Sequence, residues 1–209
     1  MRLLLLVVGA LLVSAPAALA HQGSPNFLSQ VNSAPAGVEV TVLSRDDRLL
    51  LRNESGKDVI VEGYEDEPYA RIAADGTVSV NTNSKAYYIN EERDGQVPVP
   101  DGVDSKGEPR WKEVSRTGRF EWHDHRMHWM SKGDPEQVKD KSVRTKVFDW
   151  KVPVEVDGKP SDITGTLFWT PTPGGSVPWV LIVGLTLAAI AVLGAVAVLR
   201  HRRRPAEAW

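Results

Sequence analysis

Nine consecutive residues, Trp122-His123-Asp124-His125-Arg126-Met127-His128-Trp129-Met130, hold three of the chain's five histidines and both methionines other than the initiator. The other two histidines are His21 and His201. Imidazole nitrogen and thioether sulfur are the donors that suit copper where thiolate is lacking, and this chain has no cysteine. Residue types used almost nowhere else and then packed together point to a metal site, with copper as the cofactor. Zinc fits less well, because methionine is a poor zinc ligand.

Either regular conformation of this window gathers donors. A strand continuing through Met127 puts His123, His125 and Met127 on one face at period two. A helix instead pairs His125 with His128 and His123 with Met127. The strand is preferred, breaking near Arg126, because Arg119-Phe120-Glu121-Trp122 precedes it and Lys132-Gly133-Asp134-Pro135 ends it. His128 and Met130 then lie on the turn, able to fold back. Asp124 is placed to orient a histidine through its second ring nitrogen, or else to pair with Arg126. Trp122 and Trp129 are placed to exclude water. His21 adds an α-amine and Nδ1 together if a signal is cut after Ala20. The same residue types also build hydrogen-bonded networks that pin a strand end, and Met127, Trp129 and Met130 equally suit a core. That structural reading stands beside the metal one. Glu65-Asp66-Glu67 offers oxygen donors for a hard cation, or a solvated turn.

The ends of the chain say where such a site is held. Residues 1–20 read as a secretory signal, with Arg2, the apolar run Leu3 to Val13 and the small-x-small triplet Ala18-Leu19-Ala20. From Trp179 to Leu199 there is no charge, and a helix of that length covers roughly 30 Å, the hydrocarbon thickness of a bilayer. Arg200, Arg202, Arg203 and Arg204 follow at once, a cluster that stays cytoplasmic. The expected order is therefore a signal at 1–20, an extracytoplasmic domain at 21–170 and a Pro/Gly stalk at 171–178. A single transmembrane helix at 179–199 and a basic tail at 200–209 complete it. Of 25 Lys and Arg, Arg2 and the four tail arginines lie outside His21–Ser176, and of 27 Asp and Glu only Glu207 does, which leaves 20 basic against 26 acidic, net near −6. An acidic outer domain excludes nucleic acid as a partner. An exported domain without cysteine has no disulfide framework and depends on its core.

Period-two alternation dominates that domain. Val38, Val40 and Val42 alternate with Glu39 and Thr41. Leu49-Leu50-Leu51, the turn Asn53-Glu54-Ser55-Gly56 (also a glycosylation sequon) and Val59 to Val61 read as a hairpin. Phe148, Trp150, Val152, Val154 and Val156 share one face, Asp157-Gly158 suits a type I′ turn, and Ile163, Leu167 and Trp169 return. Pro153 cannot donate to a ladder, which predicts an edge strand or a bulge there. Residues 21–36 and Arg93 to Arg110 resist assignment as strands, and the second reads as a lid or a disordered loop. With no convincing helical period in the domain, the fold class is mainly β: an immunoglobulin-like β-sandwich followed by one transmembrane helix.

At Trp122-His123-Asp124-His125-Arg126-x-His128-Trp129-Met130 and Gly63-Tyr64-Glu65-Asp66-Glu67-Pro68-Tyr69 the chain resembles a family of uncharacterised secreted, membrane-anchored actinobacterial proteins. The resemblance implies an anchored envelope protein and carries no activity. A weaker, partial resemblance is to CopC-like copper-resistance domains, through His21, the Phe148–Trp169 hairpin and the C-terminal anchor. It implies a small exported β-sandwich that binds copper, with His21 among the ligands. The chain departs from that pattern at Gln22-Gly23-Ser24-Pro25-Asn26 and in the form of its histidine cluster.

The expected function is thus a membrane-anchored extracytoplasmic protein that binds or handles copper, with donors drawn from His123, His125, His128, Met127, Met130 and His21. The alternative is a structural or interaction module that meets another envelope protein. A nucleophile elbow, a phosphate loop and an HExxH motif are all missing from the sequence, so the reading is of a non-enzyme.

Overall fold

A computed structural model of the chain describes residues 26–171 and 179–202. The signal segment, His21, most of the stalk and the end of the basic tail lie outside the described residues. The chain divides into two compact units between Pro171 and Thr172.

The first unit is built from ten strands among the described residues: β1 (Phe27–Ser33), β2 (Val38–Leu43), β3 (Arg48–Asn53), β4 (Val59–Glu62), β5 (Pro68–Ile72), β6 (Val78–Asn81), β7 (Trp111–Ser115), β8 (Arg119–His123), β9 (Thr145–Val156) and β10 (Lys159–Trp169). All pair antiparallel, in a seven-stranded sheet of order β1-β10-β9-β4-β5-β6-β7 and a three-stranded sheet of order β2-β3-β8. Leu49, Leu51, Phe120 and Trp122 of the small sheet share one buried cluster with Val59, Val61, Ile72, Val78, Val152, Val154, Ile163 and Leu167 of the large one. Each such side chain contributes about 1.5–3 kcal/mol on burial. The two inner faces therefore make a sandwich, as the alternation requires.

The β9–β10 hairpin forms as expected. Asp157 and Gly158 take φ of 55° and 68°, the left-handed pair of a type I′ turn. A register shift leaves Val147 unpaired between Phe148↔Leu167 and Lys146↔Phe168, so Val147 is buried and Phe148 only half-buried. That bulge switches the alternation one residue before the sequence pattern predicts. Pro153 lies inside the sheet opposite Asp162, but the ladder from β9 to β4 ends at Val154. The proline is thus paired on one side only.

Two expectations fail. Leu49–Leu51 and Val59–Val61 are not a hairpin: β3 pairs with β2 and β8, whereas β4 pairs with β5 and β9. Both runs bury alternate residues in the same core, from opposite sheets, and periodicity cannot tell that from pairing. Asn53 ends β3 as a turn former, accepting from Ser55 N and Oγ and donating to Lys57 O and Ile72 O. The second failure is within 21–36, where Phe27–Ser33 is a strand paired with β10 from Phe27↔Trp169 onward. An edge strand can carry Gln30, Asn32 and Ser33 outward, which hides its period. Beyond β1 and β10, Thr170 N donates to Asn26 O at 2.6 Å, so the two ends of the described part of this unit meet.

A short helix, α1 (Lys85–Ile89), is capped by Ser84 Oγ accepting from Ala86 N, and an irregular stretch runs from it to β7. In the second unit, α2 (Trp179–Arg202) contains a segment, Val183–Arg200, long and apolar enough to cross a membrane.

Trp150 lies flat across Gly165 of the neighbouring strand. A Cβ there would stand 2.0 Å from Trp150 Cζ2 and 2.4 Å from Gln30 O. Gly165→Ala is therefore expected to lower unfolding free energy by about 2–3 kcal/mol, measured by urea denaturation, whereas Gly133→Ala, with open space around it, changes it by less than about 0.5 kcal/mol.

Candidate metal centre

The histidine segment is shaped by a buried carboxylate. β8 ends at His123, paired with Arg48 at the start of β3. Asp124 then caps a single 3₁₀ turn, His125–Met127, by accepting from Arg126 N at 3.0 Å. Its oxygens also accept Trp122 Nε1–H at 2.8 Å and a two-bond grip from Arg126, Nε and Nη2 each at 2.8 Å. Burial alone would raise this carboxyl, but the Arg126 bonds and charge, with Trp122, hold it below the usual carboxylate range. Arg126 goes on to the carbonyls of Gly63 and Glu62 and lies over the Tyr64 ring at 5.0 Å. The hydroxyl of Tyr64 accepts His125 N–H at 3.1 Å and donates to Asn90 Oδ1.

This turn brings three imidazoles together. The centroids of His123, His125 and His128 lie 5.0, 4.6 and 5.4 Å apart. Each ring offers a nitrogen within 4.8 Å of those of the other two, so the trio can hold a metal ion. His123 and His128 are buried and His125 is half-buried. His123 Nδ1 faces Asp47 Oδ1 at 3.2 Å, His125 Nε2–H donates to Glu92 O at 2.9 Å, and His128 Nδ1 lies 3.4 Å from Trp129 O. Those acceptors favour tautomers that leave His123 Nε2 and His125 Nδ1 with free lone pairs. His123 Nε2 and His128 Nε2 are 2.8 Å apart. With both rings neutral, His128 supplies the single proton between them.

Burial pushes the His128 imidazole down to about 3, with Arg93 and His123 acting in the same direction. Burial also lowers His123, against the opposing pull of Asp47. Neutral imidazole is the form that ligates metal, and here it is the resting form at neutral pH.

Compared with known protein families, curated proteins and solved structures, the chain matches none. The functional reading rests on the site itself.

The structure distributes the expected donors unevenly. His123, His125 and His128 meet, but not along one strand face, because β8 stops at His123 and the 3₁₀ turn does the gathering. Met127 is fully buried in the hydrophobic core, and its carbonyl accepts from Ser29 Oγ. Met130 is about half exposed, at 48%. Asp124 orients no histidine; it serves Trp122 and Arg126, and the carboxylate that faces a ring is Asp47. Trp122 is buried against Phe120, and Trp129 stacks on Phe27 with its Nε1–H on Gly133 O. His21 lies outside the described residues. In the acidic triplet, Glu67 is buried and accepts from Ser84 Oγ and Glu65 N, and Glu65 pairs with Lys85. It is a structural turn.

Four residues around the site have no signature in the sequence: Asp47, Glu92, Arg93 and Gly95. Asp47 sits on the β2–β3 turn, where Ser44 and Arg45 take φ of 51° and 72°, a conformation non-glycine residues seldom adopt. Arg93 bridges that turn, with Nη2 to Asp46 Oδ2 at 2.7 Å and Nη1 to Asp47 Oδ1 at 3.0 Å. Asp46 is wholly buried, and burial raises it despite Arg93. Adjacent aspartates in a turn are ordinary, so only the fold marks this pair.

Two outcomes follow for the metal-free protein. Asp124→Asn leaves Arg126 without its anion, at a cost of about 3–5 kcal/mol, read as a lowered urea midpoint. The folded His128 value of about 3 lies below the ordinary 6.5, so the unfolded chain takes up the proton first. Stability is then lost as pH falls from about 6.5 toward 3, by about 2 kcal/mol at pH 5 from His128 alone. Denaturation at pH 7.5 and 5.0 checks this, and His128→Gln removes that part of the slope.

Proposed function

We propose that this protein binds and handles copper at the cell surface, holding the ion with His123 Nε2, His128 Nε2 and His125 Nδ1. The observation that carries the reading is that each of the three converging rings has an oxygen acceptor for its other nitrogen: Asp47, Glu92 and Trp129. Outer acceptors of this kind fix tautomer and orientation in metal-binding histidines. To serve as a donor at Nε2, His128 would carry its proton at Nδ1, where Trp129 O stands 3.4 Å away, and would give up its hydrogen bond to His123 Nε2.

Copper is favoured over zinc because divalent copper binds nitrogen donors more tightly than zinc does. Met127 serves packing, and Met130 is the thioether left exposed. The acidic outer domain and the arginines at 200–204, which follow the apolar stretch, support an extracytoplasmic site held by one membrane span, with a cytoplasmic tail.

One observation supports a structural alternative: the bond between the His123 and His128 rings already satisfies both Nε2 atoms. A titration separates the two readings. Full-length protein in detergent is expected to take up one Cu(II), with stronger binding than Zn(II) and a raised melting temperature. His123→Ala/His128→Ala is expected to lose that uptake. Equal copper binding by parent and double variant removes the cluster from the metal site and leaves the hydrogen-bonded module. His21→Ala reports whether the N-terminal segment adds a donor.

A further inference from the structure

We propose that Arg93 is a positioning residue for the metal site, acting through Asp47, and that residues 91–95 form a latch whose closure is coupled to metal binding. This rests on the copper reading above. The latch begins where Asn90 ends α1 with its N–H on Ala86 O and its Oδ1 on the Tyr64 hydroxyl. Glu92 then places its carbonyl on His125 Nε2, Arg93 bridges Asp46 and Asp47, and Gly95 lies against the His125 ring. Three of five consecutive residues thus touch a histidine or the carboxylate that orients one.

The chemistry of each contact couples it to the ion. Asp47 Oδ1 receives both Arg93 Nη1 at 3.0 Å and His123 Nδ1 at 3.2 Å, so the latch and the ring share one oxygen atom. A metal on Nε2 withdraws charge from the imidazole and strengthens its Nδ1–H as a donor, tightening the bond to Asp47. The same holds for His125 and the Glu92 carbonyl. Linkage is reciprocal: whatever favours the closed latch must also favour the bound ion.

Arg93 is what makes closure favourable. Asp46 is wholly buried and its Oδ1 has no hydrogen-bond partner, so without the guanidinium on its other oxygen a buried carboxylate loses its cation. A planar fork bridges both, and an ammonium does so poorly. Gly95 sets the fit. Its φ is +63°, and a Cβ would stand 2.5 Å from His125 Cε1 and 3.0 Å from Nδ1. Arg93 also borders a cavity of about 410 Å³, lined in addition by Trp129, Lys132 and Trp169.

The test uses the full chain in detergent, loaded with one equivalent of Cu(II) and challenged with excess EDTA, with release followed by the Cu(II) visible spectrum. Arg93→Gln is expected to release copper at least tenfold faster, in line with the ~10–100-fold cost of losing outer-shell partners. Arg93→Lys falls between. Asp94→Asn, on the same segment but exposed, matches the parent. Copper is expected to slow amide exchange at 91–95 in the parent and not in Arg93→Gln. Should Arg93→Gln unfold, Arg93→Lys carries the test, since it keeps a charge in the turn and is still expected to release faster than the parent. Parental release rates in Arg93→Gln, or in Arg93→Lys where Arg93→Gln unfolds, or exchange at 91–95 indifferent to copper in the parent, overturn the latch and leave the metal site standing. A parent chain that binds no copper overturns both.

Discussion

A single buried carboxylate, that of Asp124, organises the functional end of this domain. It accepts one indole N–H, one backbone N–H and two guanidinium N–H groups. An ionised carboxylate can be buried only when its oxygens are satisfied in this way. The two side chains that satisfy it are its own near neighbours, Trp122 and Arg126. Meeting both demands at once forces the chain out of β8 and into a 3₁₀ turn. The three histidines interleave with those residues, and their convergence is a by-product of the turn. Arg126 fastens the turn to the carbonyls of Glu62 and Gly63, so the small sheet and the large sheet are locked together at the point where the rings meet.

The electrostatics divide into two tiers. Beneath the rings, Asp124 and Arg126 neutralise each other. Beside them, Asp46 and Asp47 are met by Arg93 and, at 3.9 Å, by Arg48, and one Asp47 oxygen points at an imidazole N–H. A carboxylate on Nδ1–H makes His123 a better donor through its far nitrogen. The arrangement suits a cation that enters a group of neutral rings and leaves as the surrounding bonds relax.

Much of this was readable from residue order, and the exceptions have physical reasons. The β9–β10 hairpin declares itself because Trp150, Val152, Val154 and Ile163 alternate around a turn whose residues tolerate left-handed backbone. Phe148 misled because a bulge is a backbone event, and Val147 gives no hint of it. Leu49–Leu51 and Val59–Val61 looked like partners because two sheets that share a core print the same pattern. β1 was hidden because an edge strand needs only one apolar face, and Phe27, Ser29 and Val31 make a weak one. At the site, the histidines were visible by their scarcity elsewhere. Their geometry was not, because Asp124 could serve a ring or a guanidinium equally well on paper. Asp47, Glu92, Arg93 and Gly95 were invisible, since they act through a carbonyl, a shared oxygen and a missing side chain brought close only by the fold.

The pairing of β1 with β10 sets the order in which this domain can be completed. Phe27 finds Trp169, and Asn26 finds Thr170, only across almost the whole length of the domain. The first strand of the domain must therefore wait, unpartnered on its sheet side, until the last strand has been synthesised. Ser29, which braces the Met127 carbonyl behind the histidine turn, waits with it. Such distant contacts are costly to form early, so the histidine cluster gains its final support as one of the last acts of folding, when the end of the domain has emerged.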